Sequence, residues 1–451
     1  VQQLRLYFDR FHKQKSKAMF LKQNRVPFVA SFGLFVVATL AYQFTHQAYQ
    51  AQFAYEYGNI AASIVAGYGF SDLFGTGDNL PTAWMPPFYP YLMALVFSLA
   101  GTKSVASLWV LLLLRCAALA FVASRIYHLG NGRRQSLVLL GSFYAYVCFF
   151  PYTFFGELHD EWLMMGLLVL LVDGFCRHVS GRGPVWYLLG LFVLCAGTGP
   201  ILLFALLGMA GVLAVLQLPF LARRARIRAN LPQLALLLAV ALAVPAAWGW
   251  HNQQRLGKFV PLKSNMWLEF YMSNIMSGDG LLRAEYLDQV HPWANLEARQ
   301  KYLAQGEVAF LDSFGRASSA ELALASYPEK VFWRAANVYV YTQGGSLNKQ
   351  VGGPTPFWAS ARDVGRSLLG AVVPLASILF LWWRRRLGYP LLTLATSTYV
   401  LFSLPYILIS HYERYQMPLV GLQAIMVGLA LSELWALLAR RLAPEDRVAR
   451  I

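Results

Sequence analysis

The chain has 451 residues, of which 57% are hydrophobic and only 13% charged, with a formal net charge of +16. Soluble proteins carry about 25% charged residues, so a soluble domain is excluded. No nucleic-acid-binding motif accompanies the positive charge, and the basic residues sit in short stretches beside apolar runs, as in the cytoplasmic loops of a membrane protein.

Residues 1–26 hold seven Lys/Arg against one acid, Asp9. They lead into an apolar run at 27–44 without a small-residue cleavage site, which reads as a cytoplasmic start and an anchor, not a cleaved signal. Further apolar runs follow at 104–127, 136–150, 160–176, 185–199, 201–218, 231–250, 366–383, 389–409 and 417–438. A spanning helix needs roughly 20 apolar residues, and 87–100 is a further, shorter candidate. The prediction is an all-α polytopic membrane protein with about ten to twelve membrane segments; a β-barrel would show short alternating segments instead.

The basic stretches Arg223–Arg228, Arg384–Arg386 and Arg440–Arg441 each follow a span and are assigned to the cytoplasm. That leaves 45–86, 151–159, 251–365 and the turn His411–Gln416 outside. Both termini inside requires an even number of crossings, so 87–100 or 136–150 only dips into the bilayer; Arg133 and Arg134 favour 87–100. A partial dip needs protein or water around it, and hence a cavity near the outer leaflet. The expected organisation is a transmembrane core over 1–250 with its first external loop at 45–86, an external helical lid over 251–365, and C-terminal transmembrane helices over 366–451. In the lid, Leu296–Ser313 reads as one amphipathic helix, followed by a helix broken by Pro328. Cys116, Cys148, Cys176 and Cys195 show no CxxC spacing and read as small buried hydrophobes.

Four clusters can carry chemistry. The stretch Phe53–Pro90 has no Lys or Arg but contains Glu56, Asp72, Asp78 and four prolines. Glu56, in Tyr-Glu-Tyr-Gly, is placed to act as a general base; the bland alternative is an interfacial acid in water. Gly156-Glu-Leu-His-Asp-Glu-Trp162 gathers Glu157, His159, Asp160 and Glu161, whose acids share one face at helical spacing and can supply an acid, a base or a divalent-metal ligand; simple helix N-capping explains one or two of them. His411 and Arg414, before the last span, suit a lipid phosphate, against a surface Arg–Glu pair. Lys263 or Arg255 offers a second phosphate contact, with Arg334 as a weaker one, against cations resting at headgroups. Gly67-Tyr-Gly69 follows no strand and is a turn, not a nucleotide loop. No ATP-binding motif is present, so energy for a transfer must come with an activated substrate.

In order and spacing these pieces resemble the GT-C superfamily of membrane glycosyltransferases, which includes the protein O-mannosyltransferases and the lipid A aminoarabinose transferases. The segments carrying the resemblance are YEYGNIAASIVAGYGFS, PTAWMPPFYPYLMALVFSLAG, GKFVPLKSNMWLEFYMSN, PEKVFWRAANVY and HYERYQMPLVGLQAIMVGLAL. The resemblance implies a GT-C-like fold and transfer of a sugar from a polyprenyl-phosphate donor at the external face of the bilayer, with no cofactor. Glu56 falls at the family's first-loop acid and Asp160 at its second, with Glu161 or Glu157 sharing that role. Lys263 and Arg414 fall where donor phosphate is expected. One departure is that Phe53 and Ala54 stand where many members have Asp or Asp-Glu. A bacterial inner membrane is the implied location. The competing class, a transporter or flippase of lipid-linked sugars, would show inverted repeats, and none is visible.

Overall fold

The computed structural model describes residues 17–46, 53–181, 184–217, 230–322, 324–339, 364–365, 367–384 and 390–442. The predicted basic stretch 223–228, Arg385–Arg386 and the end of the lid at 340–363 lie outside the described residues. Helix α1 is Lys17–Thr45, α2 Glu56–Val65, α3 Phe88–Ala100, α4 Val105–Leu129, α5 Arg133–Phe149, α6 Glu161–Val179, α7 Val185–Thr198, α8 Pro200–Val215 and α9 Leu231–Leu256. The lid contributes α10 (Met266–Tyr271), α11 (Ala284–Val290), α12 (Leu296–Gln305), α13 (Glu307–Glu321) and α14 (Tyr327–Tyr339). The chain closes with α15 (Val373–Trp383), α16 (Pro390–Leu408) and α17 (Val420–Leu442). The described residues form no extended strand, only two isolated bridges, so the protein is all-α.

Among the described residues six helices are long and apolar enough to cross a bilayer: Arg25–Thr45, Val105–Leu129, Glu161–Val179, Leu231–Leu256, Pro390–Leu408 and Arg414–Arg441. Four shorter apolar helices accompany them, among them Phe88–Ala100. At 1.5 Å per residue Phe88–Ala100 and Val185–Thr198 are each roughly 20 Å long against a hydrocarbon core of about 30 Å. This is an integral membrane protein. In the bundle α1 packs on α4, α17 on α5, α9 on α7, and α16 on α8. Toward the C-terminal ends of two spans, buried Asp173 of α6 accepts from Arg125 Nε and Nη2 of α4 at 3.1 and 3.0 Å and from Arg177 Nε at 3.0 Å, tying the spans together by paired charge. Of the cysteines, Cys116 and Cys195 are buried as expected; Cys148 is exposed on the outer face of α5.

The segments expected to share the outer side do gather at one end of the bundle. Ser264 N–H donates to Ala83 O at 2.9 Å, joining the lid to the first loop, and Leu282 N–H donates to His411 O at 2.9 Å, joining it to the last turn. Two lid expectations change. The single helix over Leu296–Ser313 is two helices, because Gly306 between them holds φ +77°, a left-handed conformation that ends α12 and re-aims the chain. Pro328 starts α14 instead of breaking it, since the first turn of a helix has no use for the missing N–H.

Candidate active site

Helix α6 begins at Glu161, and Glu157 before it is extended (φ −73°, ψ 153°). Glu157, Asp160 and Glu161 therefore do not share a helical face as expected. Asp160 occupies the N-cap position but makes no capping bond; its Oδ2 accepts instead from the Tyr57 hydroxyl at 2.8 Å. Tyr57 stands one residue from Glu56 in the first turn of α2. Ala54 and Tyr55 just ahead both hold positive φ, 48° and 44°, at a cost of roughly 1–2 kcal/mol each for a residue with a Cβ. That turn sends Tyr55 and Tyr57 into two different cavities.

The first cavity, about 980 Å³, lies between the end of α1, the 150–161 segment and the last turn. Its walls are the rings of Tyr42, Tyr55, Tyr152 and Tyr412, with Glu157 and His159 among them. The second, about 570 Å³, runs under the lid among Met85, Pro86, Leu262 and Met266 and receives Tyr57, Asp160, Lys258 and Lys263. Glu161 and Arg414 line both. Arg414 Nε is 3.5 Å from Glu161 Oε1 and Nη1 is 3.4 Å from His159 Nδ1. These contacts are long, and the Arg414 side chain, 42% exposed, lines both cavities while its Nε is closed to solvent.

The electrostatics divide the acids. Burial and the neighbouring Glu161 push the Asp160 carboxyl up to about 6, against the opposing pull of the Tyr57 hydroxyl, Arg414 and His159. Glu157 goes the other way. Burial works against its charge, but its bond to His159 (2.9 Å) and the Tyr152 hydroxyl hold it below the usual carboxylate range. Burial opposes the His159 cation too, yet Glu157 carries that imidazole above its ordinary value. Two carboxylates three residues apart are thus set for different work.

The other predicted residues separate into two groups. Lys263 reaches the second cavity, paired with Glu269 at 3.1 Å. Glu56 is half-buried within electrostatic range of Arg414 and His291, but lines neither cavity. Arg255, Arg334 and His411 are not brought to the site. Arg255 donates to Tyr68 O at 3.2 Å and packs against Gly69. Arg334 is wholly buried, donating to Ile407 O, Leu408 O, Gly280 O and Asn274 Oδ1. His411 is buried beside Gln416, its imidazole pushed down to about 3 by burial and by Arg334, and so neutral. Among the described residues no three His, Cys, Asp or Glu side chains converge as metal ligands. Missed from sequence were Tyr57, Lys258 and the tyrosine wall of the first cavity. The Tyr-Glu-Tyr run around Glu56 was the available signal: its tyrosines, not its acid, point into the cavities.

No protein-family model matches the chain, and no characterised protein matches its sequence. Among solved structures, the crystal structure of ArnT from Cupriavidus metallidurans bound to undecaprenyl phosphate is similar over 91% of this chain and 81% of that one. The identity is 13% and the TM-score 0.39. Neither substrates nor residue roles transfer across a likeness of that size.

Proposed function

We propose that this protein is a glycosyltransferase of the GT-C kind, moving a sugar from a polyprenyl-phosphate donor to an acceptor at the external face of a membrane, in bacteria the inner membrane. The observation that carries the reading is the meeting of two cavities at Glu161 and Arg414, with the buried, raised-pKa Asp160 at the border. The second cavity, which joins apolar walls to lysines and Arg414, suits the lipid-linked donor, and the tyrosine-walled first cavity suits the polar acceptor. The acceptor hydroxyl reaches the junction, where Glu161 hydrogen-bonds it and Asp160 takes its proton. The acceptor oxygen bonds to the anomeric carbon as the carbon–oxygen bond to phosphate breaks, with inversion. Arg414 and Lys263 offset the charge growing on the departing polyprenyl phosphate. Glu56 adds negative potential at Arg414 from outside the cavities.

The charge balance makes one demand. Lys258 and Lys263 face the second cavity already paired with Asp312 and Glu269, at 2.5 and 3.1 Å. With Asp160 and Glu161, the lining holds four carboxylates against three cations. A donor phosphate therefore competes with Glu269 for Lys263 and relies on Arg414, with a divalent cation as the further counter-charge to test. The test is purified protein mixed with polyprenyl-phosphate sugars and candidate acceptors, with magnesium, with manganese and with chelator. Release of free polyprenyl phosphate coupled to a glycosylated acceptor supports transfer. No release, together with uptake of lipid-linked sugar into vesicles, makes the protein a transporter and overturns the reading.

A further inference from the structure

Four consecutive carbonyl groups beneath the acidic segment are each held by a buried side chain from elsewhere in the bundle. Gln43, near the end of α1, donates from Nε2 to Phe155 O at 2.7 Å and Gly156 O at 3.2 Å. Arg115, in the middle of α4, donates from Nη1 to Glu157 O at 2.7 Å. Tyr89, in the first turn of α3, donates its hydroxyl to Leu158 O at 2.5 Å. All three side chains are closed to solvent. These carbonyls fall where the chain leaves the π turn Tyr152–Gly156 and has not yet entered α6, so no helical ladder reaches them.

Arg115 is costly where it sits. It lies within the apolar span Val105–Leu129, and its Nε and Nη2 have no hydrogen-bond acceptor among the described residues. A buried guanidinium with so few partners lowers stability, and an apolar side chain of similar size would be cheaper. A charge kept inside a membrane span against that cost points to a task.

We propose that Gln43, Arg115 and Tyr89 are positioning residues. Together they clamp the backbone over Phe155–Leu158, so that Glu157 and His159 face one cavity and Asp160 the other, while Glu161 stands at the junction. The proposal rests on the transfer reaction put forward above. It predicts loss of turnover, because a displacement of about 1 Å in a reacting group is worth roughly a hundredfold in rate.

The experiment compares Arg115→Met, Arg115→Lys and Gln43→Leu with the wild-type protein in detergent. Three quantities are read: amide exchange across 152–164, donor kcat and KM, and the thermal midpoint. Expected for Arg115→Met and Gln43→Leu are faster exchange confined to that stretch, a kcat per folded molecule lower by at least about tenfold, little change in KM and a midpoint lowered modestly, because each variant strands a buried carbonyl. Arg115→Lys, which keeps a donor for Glu157 O, recovers most of the kcat. Unchanged exchange overturns the clamp. Faster exchange with normal kcat overturns the positioning role, as does a kcat that falls only in step with the folded fraction. A wild-type protein without transfer overturns the function itself and the positioning role with it; the exchange measurement still decides whether the clamp exists.

Discussion

Arg334 and Arg414 stand at the same end of the bundle, and each is an arginine next to an aromatic residue, Trp333 and Tyr415. In the lid anchor, Arg334 uses its guanidinium on four acceptors at 2.6 to 3.3 Å, three of them main-chain carbonyls, and Lys330 beside it donates to Asn274 O at 2.5 Å. In the candidate active site, Arg414 makes contacts of 3.4 and 3.5 Å among the described residues and opens onto two cavities. A saturated cation holds a fold together, and an unsaturated one keeps capacity for a ligand. The same contrast separates Glu307 from Asp160. Glu307 is buried under donors from Thr82, Ala83 and Tyr302, locking α13 to the first loop, whereas Asp160 keeps one described donor and a face on a cavity.

Variants can break that contrast. The largest effect is expected from Asp160→Asn, which removes the proposed base while keeping an acceptor for the Tyr57 hydroxyl. Transfer falls by about 10²- to 10⁴-fold, with the protein still monodisperse in detergent; full activity would remove Asp160 from the mechanism. The pH profile carries a sign. A base works only when deprotonated, and Asp160 titrates near 6, so wild-type kcat/KM drops tenfold per pH unit below about 6 and is level above it. A profile that instead rises toward acid would make Asp160 a general acid. The second effect is on stability. Arg334→Ala strands buried carbonyls and costs about 3 kcal/mol or more, seen as a lower thermal midpoint, while turnover per folded molecule is kept. Third, Arg414→Lys keeps the charge but loses the planar fork. Donor KM rises about tenfold with a midpoint almost unmoved, because long, partly exposed contacts contribute less than about 1 kcal/mol. If Arg334→Ala lost turnover and Arg414→Lys lost only stability, the two arginines would have to exchange roles.

Sequence carried the layout well and the assignment of single residues poorly, for a physical reason. Apolar runs and charge bias report on lipid contact, so the spans and the four segments gathered at one end were legible from them. The acidic cluster at Glu157–Glu161 was visible because four ionisable groups at the mouth of an apolar helix are rarely neutral decoration. What lay beyond reach were facts of partnership. Arg334 and Arg414 differ in how many carbonyls surround them, and those around Arg334 come from residues 54 to 74 positions away. Glu307 is buried against Thr82, 225 residues earlier. Gln43 and Tyr89 look like ordinary span residues until the carbonyls they hold are known. Gly306 was readable in principle, yet the amphipathic pattern running through it masked the break.

The smallest expected effect is the most direct check on cavity membership. Arg255 was a candidate phosphate contact on the strength of its charge and its place just past a span. Its guanidinium instead lies over Gly69, 3.2 Å from where a Cβ would sit, and donates to Tyr68 O. It closes the first loop against the end of α9 and reaches neither cavity. Arg255→Ala therefore removes one exposed hydrogen bond, worth about 1 kcal/mol or less, and leaves donor KM within about twofold of wild type. The paired control is Lys263→Ala, which empties a place in the proposed donor cavity and frees Glu269 to repel phosphate. Its KM should rise several-fold in low salt and less in high salt, since screening weakens both lost attraction and new repulsion. Equal KM changes in the two variants would mean that the lysine, like the arginine, lies outside the donor's reach, and that the second cavity receives something other than a phosphate.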